Sequence, residues 1–555
     1  MRKFEFRGLE FHSSRMWQWA QIEKALDFMT KMNLNALIFH QSDLVDKLVR
    51  PTKYFSTDLM WKRWPVRNHV LMNNVHYIQK VVRESKERGI NFYPEVKEIF
   101  YFEGILELFP ELRNSDGKIC ATHPFWWEFV EEKTRELLEL VPDIAGMIMS
   151  AGSRESMVSI STNECECDRC KNYDPIDWYI NLLNAMHRPL SEKGKTLAVR
   201  DFAYSADQQS YIVKAATKVS EDIVISLKNT PHDYYPTFPH NPEIGNVGNH
   251  PQWVEFDTWG QFFGLGFFPV SVVEDMQYRM KHCHDKNVSG IYLRTDWENL
   301  TEASTFNSFN LLNLISGAKL SNHVDIELDQ IYQTWADFGL LSAHRSGSVS
   351  QDPISPTSQD AYIKLREFMK ASWSVMEKAV YVRGHVYHED CMFPDTVKMA
   401  FDMMVEIHSR DDWDPAASKL VEPTDENLEI IFKEKAEAVR EVKALPSILQ
   451  VNTLGLPQNL VDEIIDMLDL YQLYVRGYEH TARSCFLVKK ATITKDELDI
   501  KKAKESIPLL IEYREEVLKR LEGTHYPHYL YWLIDEKRLH ELIKDTKSLL
   551  QELEE

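Results

Sequence analysis

The sequence has little basic charge, few cysteines and no long apolar run. Lys and Arg number 64 against 85 Asp and Glu, a formal charge of −21. Nucleic acid and anionic membrane surfaces both require a basic face, so neither is an expected partner. A small acidic substrate stays open, because it feels only a few local cations. No run of 18 apolar residues reads as a membrane helix. The opening "MRKFEFRGLEF" lacks the apolar core and small-residue cleavage site of a signal peptide, so the expected location is the cytoplasm. Seven cysteines, an odd number in 555 residues, suit reduced thiols better than a disulfide framework. No glycine-rich phosphate fingerprint occurs, and no cofactor is expected.

What is present suits a large packed core: 44% apolar residues, 12% aromatic and fourteen tryptophans. A chain of this length implies two or three domains. Short β-rich runs recur at 7–12, 35–40, 91–96, 146–151, 196–202, 223–228, 253–258 and 290–295. Amphipathic stretches such as "VHYIQKVVRESKERG" lie between most of them, and Gly89 is a suitable helix C-cap. Strand–helix alternation implies a parallel sheet. Eight such units in about 300 residues predict a (β/α)8 TIM barrel over 1–340, with an open doubly wound sheet as the alternative. Beyond residue 340 the β-runs stop, and 341–555 reads as an all-helical C-terminal domain, joined through "SGSVSQDPISPTSQD" (346–360). Leu460, Ile464, Met467, Tyr471 and Tyr474 follow helical spacing and predict a core stripe.

In a barrel the active site lies at the C-terminal strand ends. Those ends carry His12, His40, Glu95, Arg154 with Glu155, Arg200 with Asp201, Lys228 followed by Asp233, Glu255 with Asp257, and Arg294, Asp296 and Glu298. Trp259, just past strand seven, is a candidate aromatic sugar contact. Carboxylates beside cations suit glycoside hydrolysis, in which one carboxyl protonates the leaving oxygen and a second activates water or attacks the sugar. The cations can hold a substrate carboxylate. For any single residue the plain alternative is a structural ion pair.

Three stretches carry a family resemblance. "VRDFAY" (199–204), "KNTPHDYYPTFPHNPEIG" (228–245) and the 304–337 segment beginning "STFNSFNLLNL" are similar to the α-glucuronidases of glycoside hydrolase family 67. That family removes glucuronic acid or its 4-O-methyl ether from xylo-oligosaccharide ends. The resemblance implies that Arg200 and Lys228 bind the uronate, that Asp233 helps activate water, and that Glu155 is the strand-four acid. It also implies a homodimer. This chain departs from the family at Ser150, where the family has lysine, and at Gln261, where it has a second water-activating glutamate; Asp257 is the substitute carboxylate. The chain enters its first β-run at once, so the family's N-terminal β-sandwich is not expected here. "NECECDRC" (163–170) is similar to a segment in barrel hydrolases related to endo-β-N-acetylglucosaminidases. Its Cys165, Cys167 and Cys170 form either a turn of reduced thiols or, with Cys120 or a histidine, a structural zinc site. "GHVYHEDC" (384–391) reads as a loop of the helical domain that touches the barrel mouth.

The expected protein is an exo-acting, inverting glycosidase acting on terminal sugars of short oligosaccharides. Glu155 is the general acid, its pKa raised by burial, and Asp233 is the base, with Asp257. Arg200, Lys228, Arg294, His12, His40, Trp259 and Asp296 are the expected substrate contacts. An inverting pair stands about 6.5–9.5 Å apart, a retaining pair about 5–5.5 Å. The alternatives are a hexosaminidase-like hydrolase with two adjacent acids and a carbohydrate-binding barrel without catalysis.

Overall fold

The computed structural model describes residues 3–152, 154–201, 206–297, 300, 304–339 and 358–554, the side chains of 206–208 excepted. Eight parallel strands close a barrel in chain order: β1 (Phe6–Phe11), β2 (Ala36–His40), β3 (Asn91–Lys97), β4 (Gly146–Ala151), β5 (Thr196–Asp201), β6 (Val224–Lys228), β7 (Gln252–Asp257) and β8 (Gly290–Arg294). β8 closes on β1 in the register Phe6–Gly290 through Glu10–Arg294. These are the eight stretches expected from the sequence, with ends shifted by a residue or two. The helix Pro65–Glu87 stops just before Gly89, whose φ of +71° a side chain would strain.

Period-two alternation sorts the strand residues. Outward residues such as Leu9, Leu37, Met149, Val199, Leu227 and Leu293 join one core with the surrounding helices. Inward residues divide by height. At the N-terminal end, Phe6, Ala36, Tyr93, Ile148, Ala198, Val224, Trp253 and Tyr292 form an apolar plug. Phe6 stacks on Trp253 at 3.7 Å between ring centroids. Gly290 is required there, because a Cβ would stand 2.4 Å from the Trp253 ring. Towards the C-terminal end the inward residues become charged: Glu10, Glu95, Arg200 and Glu255, all buried.

The helical region comprises the long helices Gln359–Val380, Asp425–Leu449, Gln458–Thr494, Glu497–Leu521 and Glu536–Glu552, with shorter ones between. The stripe Leu460, Ile464, Met467, Tyr471 and Tyr474 is buried, as its spacing predicts. Tyr471 and Tyr474 stack on Phe268 of the β7–β8 connection at 4.6 and 4.8 Å, seating this helix on the barrel. The hydroxyls of Tyr474 and Tyr478 donate to the carbonyl of Cys391, which fixes the 384–391 loop beside the barrel mouth. The expected domain boundary and most of the 346–360 connector lie outside the described residues, as does Glu298.

Candidate active site

The floor of the site is a buried charge network supplied by alternate strands. Arg200 Nε lies 2.6 Å from Glu255 Oε2 and 3.5 Å from Glu95 Oε1. Its Nη2 donates to the Tyr234 hydroxyl at 2.8 Å. Ser150 Oγ donates to Glu95 at 2.7 Å. Here the small hydroxyl bonds the carboxylate beneath Arg200, where a lysine would add a further buried cation. Burial opposes the charge of Glu255, but Arg200 and the hydrogen bonds around it bring its pKa to about 2. Burial, with repulsion from Glu255 and Glu95, pushes Glu10 well above the carboxylate range. His40 sits between Glu10 (2.8 Å) and Glu95 (3.4 Å), and the His12 ring lies tilted against it, 3.7 Å between centroids. Burial and the cations nearby hold both imidazoles neutral.

Above this floor is a cavity of about 150 Å³, lined by His12, Glu155, Arg200, Lys228, Asp233, Tyr234, Arg294, Trp297, Glu389 and Asp390 among others. It is small beside the ~300–1,000 Å³ of drug-sized sites, a scale that suits one sugar ring rather than an extended chain. One wall is the proline-rich β6–β7 loop. Arg279 holds that loop by donating to the carbonyls of Pro236, Phe238 and Pro239 at 2.8–3.1 Å. Asn241 donates back to the Lys228 and Thr230 carbonyls. Asp233 stands at the turn with φ +44°, a conformation uncommon outside glycine. Its carboxylate is ion-paired with Lys228, and His232 Nδ1 lies 3.6 Å away. Burial opposes ionisation of Asp233, but Lys228 and His232 prevail and hold its pKa below the usual range. Tyr234 lies between two cations, its ring 5.3 Å from Lys228 and 5.5 Å from Arg294.

The structure therefore brings together Glu155, Asp233, Arg200, Lys228, Arg294 and His12. Four other residues expected at the site lie outside the cavity lining. Asp257 lies outside the cavity lining; its two oxygens accept the backbone N–H groups of Trp259, Gly260 and Gln261 at 2.8–3.1 Å, capping the turn after β7. Trp259 is a core residue, fully buried, with Gly266 packed directly on its indole. Asp296 accepts from the His12 N–H and the Ser13 hydroxyl, tying β8 to the end of β1. His40 belongs to the floor beneath His12. Glu155 lines the cavity without being buried. It is 38% exposed and lies 3.1 Å from Lys97 Nζ, so the burial expected to hold its proton is missing.

Two carboxyls escaped the sequence reading. Glu389 and Asp390 reach the cavity from the helical region, on the 384–391 loop. Desolvation at the cavity rim, then repulsion from Asp390 and Asp233, pushes Glu389 to about 7, although its side chain, like that of Glu155, stays exposed at the surface. Burial pushes Asp390 to about 6, against the hydrogen bond it accepts from Gln261 at 2.7 Å. Gln261 also accepts from Arg294 at 2.6 Å. An amide can bridge a cation and an acid; a glutamate at 261 would face Asp390 as a like charge. Trp297 also lines the cavity, with Tyr234 and Phe262 as its other aromatic lining residues. The signal available in sequence was the acidic pair within an otherwise His- and Tyr-rich loop.

No protein-family model and no curated protein matches the chain. Among solved structures, the chain is similar to a GH138 enzyme targeting pectin rhamnogalacturonan II, with TM-score 0.65, 11% identity, and coverage of 99% of this chain and 67% of that one. It is also similar to a mutant O-GlcNAc hydrolase from Thermobaculum terrenum (TM-score 0.45, 12% identity, 99% and 97% covered). A β-N-acetylhexosaminidase from Bacteroides fragilis gives TM-score 0.40 and 15% identity, with 60% and 69% covered. At 11% identity the first of these likenesses shows the shared fold alone, a (β/α)8 barrel followed by helices. The family-67 assignment is not shown. Among the described residues no helix is long and apolar enough to cross a membrane.

Proposed function

We propose that the protein is an exo-acting glycoside hydrolase that removes a terminal uronic acid from short oligosaccharides, in the manner of an α-glucuronidase. The observation that carries this reading is the composition of one ring-sized cavity. Carboxyl groups that can move protons stand there beside three cations, Arg200, Lys228 and Arg294. The cations serve the sugar carboxylate and Trp297 offers its ring face. Asp233 activates water. It is paired with Lys228. A uronate that takes Lys228 as its own partner leaves Asp233 the stronger base.

The leaving oxygen needs a proton donor. Glu155 has the position expected for the strand-four acid. Glu389 has one feature in its favour: a pKa near 7 leaves about half of it protonated at neutral pH. Environments that push two carboxyls apart in pKa mark acid and base roles, and Asp233 and Glu389 are so divided. The fold likeness to a GH138 enzyme that targets pectin rhamnogalacturonan II is compatible with a carbohydrate substrate.

The experiment is a hydrolysis screen on aryl glycosides and short oligosaccharides, with uronosides, neutral sugars and N-acetylhexosaminides together. Glu155→Gln, Asp233→Asn and Glu389→Gln serve as variants. Uronic acid release that is lost in Asp233→Asn supports the reading, and the other two variants name the donor. Cleavage of neutral sugars or N-acetylhexosaminides alone refutes the uronate assignment. Saturable sugar binding without any cleavage refutes the enzyme.

A further inference from the structure

Away from the sugar cavity, four thiols from three parts of the chain converge. Cys120 precedes the helix Phe125–Leu140, Cys165 and Cys167 lie in the loop after β4, and Cys170 opens from the short helix Asp168–Lys171. Their sulfur atoms all lie within 4.8 Å of one another. Cys120 Sγ is 3.5 Å from Cys170 Sγ and 3.8 Å from Cys167 Sγ. We propose that Cys120, Cys165, Cys167 and Cys170 bind one zinc ion in a closed tetrathiolate site that fixes the loop bearing Glu155.

The distances decide between the chemistries available to four thiols. A disulfide requires sulfurs about 2.05 Å apart, in pairs. Tetrahedral zinc with Zn–S near 2.3 Å places every pair of sulfurs about 3.8 Å apart. Cys120 meets two partners near that separation at once, which a tetrahedron requires and a disulfide forbids. Side-chain donors converge on the sulfurs, as they do around metal thiolates. Thr122 Oγ1 stands 3.5 Å from Cys120 Sγ and 3.1 Å from Cys170 Sγ, and Asn114 Nδ2 donates to Cys165 Sγ at 3.5 Å. The backbone is held independently of any metal. Trp126 Nε1 donates to the Cys120 carbonyl and Trp178 Nε1 to the Ala121 carbonyl, each at 2.9 Å. The ligand set is all sulfur, which selects zinc among abundant divalent ions and leaves no open coordination position for chemistry.

The position explains what the ion does. The loop after β4 is pinned at its start, where Gly152 N–H donates to Glu98 at 2.8 Å and Val158 bridges Ile99. Glu155 lies between those pins. The cysteines fasten the same loop a few residues later to the segment that follows β3. Zinc thus converts a surface excursion into a rigid wall of the sugar cavity.

The test uses the full chain purified under reducing conditions without chelator. Elemental analysis is expected to give one zinc per chain, falling below a tenth in Cys120→Ser and Cys170→Ser and unchanged in Cys485→Ala. Because those serine variants can misfold, the wild-type protein is also exchanged with cobalt. A tetrahedral cobalt–thiolate absorption spectrum is the expected result. Metal-free protein whose four thiols alkylate freely, with no cobalt spectrum, overturns the proposal. So does a disulfide among the four, or iron in place of zinc, seen as visible colour.

Discussion

Replacing Lys228 with methionine isolates the ion pair at the wall of the cavity. The two side chains are 11% and 18% exposed, so the pair is largely out of water. Methionine keeps the length and removes the charge. Asp233 is then left facing His232, whose pKa burial lowers, and the acidic Glu389 and Asp390. Breaking one half of a buried pair costs about 3–5 kcal/mol. Here a ceiling applies, because Asp233 can take up a proton instead. From an unfolded pKa of ~3.9, protonation at pH 7 costs at most about 1.36 × 3.1, or ~4 kcal/mol. The sign of the pH dependence separates the two proteins. In the wild type the folded pKa of Asp233 is depressed, so its stabilisation is complete above ~3.9 and is lost only as pH falls through the folded value. In Lys228→Met the folded pKa rises above the unfolded one, and stability falls as pH climbs above ~3.9, by up to 1.36 kcal/mol per unit. Thermal midpoints read from pH 5 to 8 are therefore expected to diverge, with the variant lower by several degrees at pH 8. Lys228→Met/Asp233→Asn removes the divergence. Parallel curves for wild type and Lys228→Met, or an equal divergence in the double variant, refute the reasoning.

Glu389→Gln is expected to lower kcat/KM by about 10²–10⁴, the range for a lost general acid. In the wild type kcat/KM should fall tenfold per unit above pH 7, as Glu389 loses its proton; a flat profile from pH 6 to 9 removes Glu389 from the role. Asp257→Ala loses a cap to three backbone N–H groups, worth about 1–2 kcal/mol. The milder Asp257→Asn should keep kcat within a few-fold of wild type, whereas Asp233→Asn should abolish turnover. Equal losses in the two asparagine variants would return Asp257 to the chemistry. Gly290→Ala drives a methyl to 2.4 Å from the Trp253 ring and is expected to destabilise the barrel by about 1–3 kcal/mol, seen as a lower melting temperature.

The barrel was legible because each strand carries its instructions locally. β3 alternates Tyr93, Glu95 and Lys97 inward with Phe92 and Val96 outward, and every other strand keeps the same period. Lys228 and Asp233 were legible because Lys228 ends β6 and Asp233 follows five residues later in a proline-stiffened loop. Asp257 misled for a reason the strand pattern does not contain. Alternation gives the face on which a side chain leaves the strand, but Asp257 is the last residue of β7, and the chain turns back over it at once. Trp259 misled in the same way: two residues past the strand, it folds under Gly266 rather than over the cavity. Glu389 and Asp390 are more than 150 positions from Asp233 in sequence. They reach it only because Tyr474 and Tyr478 anchor their loop and Phe268 seats that helix on the barrel. Such a meeting depends on the packing of two regions, which no local period encodes.

The same packing bears on selectivity. A neutral sugar entering the cavity has no charge with which to replace Asp233 at Lys228, so the ion pair persists and Asp233 stays a weak base. A uronate exchanges one carboxylate partner of Lys228 for another at little net electrostatic cost. The displaced Asp233, now facing the ionised Asp390 without its counter-ion, gains basicity from that repulsion. Discrimination would then appear in turnover more than in binding. Neutral analogues should occupy the cavity with KM changed several-fold while kcat falls by orders of magnitude, and Lys228→Met should narrow that gap in kcat by freeing Asp233 for every substrate. A gap in kcat that survives the substitution would place selectivity in Arg294 or Arg200 instead.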